Sequence, residues 1–188
     1  MEDRQALRTK MRKRRDGMSE EEFLERNERL RSRLLEFSPL WSAKMVYLYI
    51  SYRKEADTRW LLSELLRHKV SVAAPRVWGK EMDFFIIRGE EDLVDGYKMI
   101  PEPAVWCPPA NEREALVLTP GLVFGRNGFR IGYGGGYYDR FFEREPNHLK
   151  IGLCYEFQIV DQVEGEAWER PLDGVLSETL ELPKNSLS

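Results

Sequence analysis

Cysteine and histidine are almost missing from this chain, with two of each among 188 residues. Cys107 and Cys154 can close one bridge at most, and neither stands in a CxxC pair or a Cys/His cluster. A disulfide scaffold and a structural zinc site are therefore both excluded, and the two thiols are expected to be buried or half-buried in a reducing compartment. No apolar run approaches the roughly 18 residues of a membrane span, and the charged start Met1-Glu2-Asp3-Arg4 has no apolar stretch behind it to serve as a secretory signal. The expectation is a soluble, cytoplasmic protein with no membrane partner. Internal repeats and low-complexity tracts are absent too.

What is present is enough for a core. With 42% hydrophobic and 32% charged positions, a chain of this length buries roughly 70% of its unfolded surface, which predicts a single domain over residues 1–188. The net charge of −3 hides an asymmetry: residues 1–15 hold seven Arg/Lys against two acids, whereas residues 152–188 hold two against eight. Such runs are solvated faces unless a motif gives them a ligand.

The hydrophobic pattern reads as α/β. Residues 2–16 set basic side chains around Ala6, Leu7 and Met11, a short basic helix stopped at Gly17. Ser19 and Glu22 form a capping box for a second helix that runs to about Phe37. Residues 45–50 are apolar without alternation, as in a strand covered on both faces. A helix over 57–67 and a strand over 70–74, ending before Pro75, complete a βαβ unit. Further strands are predicted at 82–87, 115–118 and 149–154, a helix at 137–144, and a final edge strand at 174–176. The proline-rich stretch 100–109 reads as irregular chain. The fold predicted is a mostly parallel sheet flanked by helices.

The chemistry concentrates in Arg130-Ile131-Gly132-Tyr133-Gly134-Gly135-Gly136-Tyr137-Tyr138-Asp139-Arg140. Four glycines in five positions ahead of a helix can turn several N–H groups toward one anion. Asp139 can hold a divalent cation, and Arg130 and Arg140 stand on either side, a combination suited to phosphoryl transfer. The segment is neither a Walker A loop nor GxGxxG, and by spacing alone a tight structural turn is an equal reading.

The chain resembles the 5-formyltetrahydrofolate cyclo-ligase family, whose signature is a Gly-rich loop running into Tyr-Tyr-Asp. The likeness is carried by Leu7-Arg8 on a basic helix, Ser51-Tyr52-Arg53-Lys54-Glu55, Pro75-Arg76-Val77, Ile100-Pro101-Glu102-Pro103, Pro120-Gly121-Leu122, the glycine loop and Pro171-Leu172-Asp173-Gly174-Val175. It implies ATP- and Mg²⁺-dependent conversion of 5-formyltetrahydrofolate to 5,10-methenyltetrahydrofolate with release of ADP and phosphate. It also implies roles. Arg140 and Tyr138 become candidate catalytic residues; Arg4, Arg8, Arg130, Gly132, Gly134, Gly135, Gly136 and Tyr137 become candidates for ATP. Glu55, Tyr133 and Tyr97 become candidates for the folate, and Asp139 and Asp173 for the metal, although Asp173 beside Gly174 also reads as an ordinary turn. The chain departs from the family pattern at Gly125, at Trp168-Glu169 and at Tyr97-Lys98-Met99.

A monomer with no nucleic-acid partner is expected. One rival is another ATP- or sugar-phosphate-using α/β enzyme, since a fold and an anion nest do not fix the substrate. The other is a nucleic-acid-binding module built on the basic helix.

Overall fold

The structure, a computed structural model, describes residues 3–96, 99–179 and 181–183. The helices α1 (Arg4–Asp16), α2 (Glu20–Glu36) and α3 (Ser38–Ser42) precede β1 (Met45–Leu48), α4 (Arg59–Arg67), β2 (Ser71–Trp78) and β3 (Glu81–Ile87). Then come β4 (Leu93–Asp95), β5 (Pro101–Pro103), β6 (Leu116–Thr119), β7 (Val123–Gly125), β8 (Arg130–Ile131), α5 (Tyr137–Arg144), β9 (Leu149–Leu153), β10 (Ile159–Val160), β11 (Gly174–Leu176) and β12 (Glu181–Pro183).

The main sheet has the order β12-β11-β9-β6-β1-β2-β3. Its five inner strands are parallel, and only the two edge strands, β3 and β12, run antiparallel. Alternate residues of the inner strands feed two different cores, which is why they carry no polar alternation. Val46, Leu48, Val72, Leu116 and Leu118 pack with Leu30, Leu34, Leu61 and Leu65 of α2 and α4 on one face. Tyr47, Ala73 and Val117 pack with Phe84, Phe141 and Phe142 on the face covered by α5.

Several boundaries move for physical reasons. β2 continues through Pro75, because β1 pairs only with residues 71–73 and Pro75 lies beyond it, where the missing N–H leaves no ladder bond broken. The strand at 174–176 is second from the edge, with β12 outside it. The proline-rich excursion forms a two-stranded hairpin, β4 with β5, which edge positions tolerate. A three-stranded sheet, β10-β7-β8, has no counterpart in the hydrophobic pattern, since its strands are two or three residues long. Gly17 follows α1 at φ −86°, so it does not serve as a left-handed cap. Both cysteines are buried free thiols. No helix among the described residues is long and apolar enough to cross a membrane.

Candidate active site

The glycine loop leaves β8 and enters α5. Gly134 (φ +99°) and Gly136 (φ +64°, the N-cap of α5) occupy the left-handed region that a side chain resists. A Cβ at Gly132 or Gly134 would meet nothing within 4 Å, so the loop faces open space. Among the described residues the amides of Gly134, Gly135 and Gly136 donate to no other group of the chain. Free amides at the start of a helix, in the open, are what an anion needs.

Two neighbours hold this loop. Arg8 of α1 donates from Nε to the Gly132 carbonyl at 3.1 Å. On the other side, Arg140 donates from Nε to the Lys80 carbonyl at 2.8 Å and from Nη2 to the Gly135 carbonyl at 2.8 Å, and Tyr137 Oη reaches the Gly79 carbonyl at 3.3 Å. The β2–β3 turn thus grips the loop through Arg140. Arg140, expected as a catalytic residue, thus uses its Nε and Nη2 to hold carbonyl oxygens of the turn and the loop.

Beside the loop, the segment after β1 turns Glu55 inward. Its carboxylate accepts from the Tyr52 amide at 2.9 Å and from the Tyr133 hydroxyl. Tyr133 Oη in turn accepts from Arg15 of α1, whose Nη1 lies 3.8 Å from Glu55 Oε1. Burial pushes the Glu55 carboxyl above its ordinary range, against the downward pull of Tyr133, the Tyr52 amide and Arg15. Arg15 and Glu55 border a narrow crevice with Tyr49, Pro120, Gly121 and Leu153, at the carboxyl ends of β1, β6 and β9. Open α/β sheets bind ligands at that end. Among the described residues, Arg15 Nε at this crevice, Arg130 Nε on β8 and Tyr138 Oη on α5 are buried without a hydrogen-bond partner. Buried donors of this kind normally meet a ligand or water. Burial, and then the Glu55 charge, hold the Tyr138 hydroxyl protonated far above its ordinary range.

The remaining candidates are divided. Arg130 and Asp139 pair at 3.0 Å with side chains 4% and 14% exposed, and the Arg130 guanidinium lies over the Tyr138 and Phe142 rings. Asp173 is engaged elsewhere, accepting from the Lys150 amide at 2.8 Å with the Lys150 ammonium 3.4 Å away. Arg4 binds the Glu164 carbonyl and the Glu169 carboxylate, which fastens α1 to the segment holding Trp168. Tyr97 lies outside the described residues. A second cleft of about 190 Å³ opens between Ile50, Arg59 and Leu62 on one side and Glu90, Val94 and Pro101 on the other.

Among the described residues no three His, Cys, Asp or Glu side chains gather as a metal cage. Asp139 keeps one carboxylate oxygen clear of Arg130. That suits a magnesium ion carried by phosphates, which takes one or two protein carboxylates and fills the rest of its shell with phosphate oxygens and water.

Sequence reading missed Arg15. Its signal is positional: Leu7, Met11 and Arg15 recur every fourth residue, so Arg15 continues the inward stripe of α1. Four of the five arginines of that helix serve the chain itself, Arg4, Arg8, Arg14 and Arg15 binding other parts of it. This disposition opposes the nucleic-acid reading.

A sequence model of the 5-formyltetrahydrofolate cyclo-ligase family matches residues 1–178. A mitochondrial 5-formyltetrahydrofolate cyclo-ligase of Arabidopsis thaliana is 30% identical over 84% of this chain and 67% of its own length. The Escherichia coli (strain K12) 5-formyltetrahydrofolate cyclo-ligase is 26% identical, covering 89% of this chain and 96% of that one. The NMR structure of Aquifex aeolicus 5,10-methenyltetrahydrofolate synthetase superposes with a TM-score of 0.86 at 29% identity, over 98% of this chain and 94% of that one.

Proposed function

The chain belongs to the 5-formyltetrahydrofolate cyclo-ligase family and converts 5-formyltetrahydrofolate to 5,10-methenyltetrahydrofolate with ATP as co-substrate; from that premise we propose that the loop at 132–136 receives the phosphates of ATP and the Glu55 cluster receives the formyl end of the folate. One observation carries this assignment. The open amides of the loop and the buried carboxylate are tied together by Tyr133, a member of the loop that donates to Glu55.

The proposed chemistry follows from the poor leaving ability of a formamide oxygen. The formyl oxygen attacks the γ-phosphorus and ADP departs. N10 then adds to the activated carbon and loses its proton, and N5 expels phosphate to close the methenyl bridge. Little covalent help is needed from the protein, and alignment with charge stabilisation supplies most of the rate. In this reading the amides of 134–136 hold phosphoryl oxygens, and Arg8 and Arg140 fix the loop that carries them. The Tyr138 hydroxyl, kept protonated by burial and by Glu55, offers a hydrogen bond to an oxygen in the crevice. The folate ring system lies in the cleft that begins at Ile50.

Mg²⁺, held by the free oxygen of Asp139, would neutralise phosphate charge. Asp173, engaged by Lys150, is left as a supporting residue of the β9–β11 edge. The protein acts as a cytoplasmic monomer, each molecule carrying a complete site. Mixing the protein with 5-formyltetrahydrofolate, ATP and Mg²⁺ should produce the methenyl chromophore, and chelation should abolish it. A folded protein that gives no absorbance rise overturns the reading.

A further inference from the structure

The reaction as laid out gives no task to Arg15, a buried charge of α1. Arg15 is 4% exposed, and a guanidinium taken out of water is costly unless acceptors surround it. Its acceptors are residues of the proposed site. Nη1 donates to Tyr133 Oη and lies 3.8 Å from Glu55 Oε1, while the Tyr133 hydroxyl donates its own hydrogen to that same oxygen. Nη2 lies 3.5 Å from Asp16 Oδ1, and Nε–H is buried with no acceptor among the described residues. The guanidinium carbon also sits 5.5 Å from the Tyr133 ring centroid. Arg8, two turns earlier on the same face of α1, fixes the carbonyl of Gly132, the residue before Tyr133. Three separate segments of chain therefore meet on one guanidinium: α1, the loop after β1 and the glycine loop.

We propose that Arg15 is a positioning residue of the reaction, holding the Tyr133 hydroxyl and the Glu55 carboxylate in one hydrogen-bonded chain so that the glycine loop and the folate-facing carboxylate are set by α1. The proposal rests on the assignment of Glu55 to the folate. It also gives Arg15 an electrostatic consequence. The groups facing Glu55 are Arg15 and Asp16 from α1, Tyr133 from the glycine loop and Tyr52 through its amide, with Tyr49 and Tyr138 nearby and the Tyr155 hydroxyl on the Glu55 carbonyl. Among these Arg15 is the one full positive charge; burial and Asp16 oppose the anion, and Arg15 favours it. Removing that charge leaves Glu55 easier to protonate.

The test is the pH profile of kcat/KM, which reports ionisations of the free enzyme. In Arg15→Leu the acid limb should move to higher pH by roughly one unit, the size expected from losing an opposite charge at this distance. At the pH optimum kcat/KM should fall roughly 10–100-fold through loss of alignment. Arg15→Lys, which keeps the charge but not the fork, should leave the acid limb in place while still lowering kcat. Tyr133→Phe breaks the same chain from the middle, so its loss combined with that of Arg15→Leu should fall well short of the product of the two. Should Arg15→Leu fail to fold, Arg15→Lys and Tyr133→Phe carry the test alone. The proposal is overturned by a folded Arg15→Leu with an unmoved limb and wild-type kcat/KM, or by fully multiplicative losses. Glu55→Gln separates the two levels: if it retains both limb and turnover, the Glu55 assignment fails, and if it loses them while the Arg15 variants do not, only the role of Arg15 fails.

Discussion

Gly132 turns the phosphate assignment into a question about empty space. Its φ is not in the left-handed region and an added Cβ would touch nothing within 4 Å, so Gly132→Ala should unfold at the wild-type temperature yet lose ATP affinity, which isothermal titration would read. Tyr138→Phe tests the opposite case. A buried hydroxyl with no partner costs stability in the ligand-free protein, so its removal should raise unfolding free energy by about 1 kcal/mol while lowering turnover. Asp139→Asn removes half of a buried ion pair and leaves the Arg130 charge unmatched. The expected loss is on the order of 3 kcal/mol in chemical denaturation, so its turnover must be measured well below the shifted melting point. A Glu55 carboxyl raised by burial protonates earlier as pH falls. The neutral form therefore suits the fold better, so Glu55→Gln should not lower the melting temperature near neutral pH while it abolishes activity. Residue types and their spacing made the glycine loop, Glu55 and Asp139 visible in sequence. Arg15 was not, because it acquires its role only by coming near Tyr133 and Glu55 in space.

At the scale of elements, α1 is the part that gains most from the fold. It is clamped through Glu22 of α2, which accepts from Arg14 and Arg26, and Arg26 also pairs with the buried Glu178. Hydrogen bonds from Arg14 and then Arg26 hold the Glu22 carboxyl at about 2. For a depressed acid the stabilisation is present above the ordinary carboxylate range, near 4.5, and is lost as pH falls through about 2. Carboxyl-carbon NMR should therefore place the Glu22 midpoint near the lower value, and a midpoint at 4.5 would mean that the clamp does not form. The capping box expected at Ser19 and Glu22 is half built: Ser19 Oγ accepts from the Glu22 amide at 3.0 Å, but the Glu22 side chain goes to the arginines instead. Periodicity located both helices within a residue or two. It could not show that one carboxylate would be claimed by a neighbouring helix.

For the whole molecule, the site lies where the carboxyl ends of β1, β6 and β9 meet a helix from the start of the chain and a loop from its second half. ATP with Mg²⁺ at 100-fold its Kd should add about 2.7 kcal/mol and raise the melting temperature by roughly 5–10 °C. Differential scanning fluorimetry reads this directly, and an unchanged melting temperature with saturating nucleotide would remove the loop as its site. The parallel core was legible because strands buried on both faces must be continuously apolar, and the main helices because their inward stripes repeat near 3.6 residues. Those are local consequences of backbone geometry, and a single chain states them. The sheet β10-β7-β8, the grip of Arg140 on the β2–β3 turn and the meeting of Arg15 with Tyr133 and Glu55 are of another kind. Arg140 and Lys80 are 60 positions apart, Arg15 and Tyr133 are 118, Tyr133 and Glu55 are 78, and β10 pairs with β7 across 35 positions, and no periodicity links such residues. Only the packing of α1 and the order of the strands could decide that a buried arginine would find a carboxylate there.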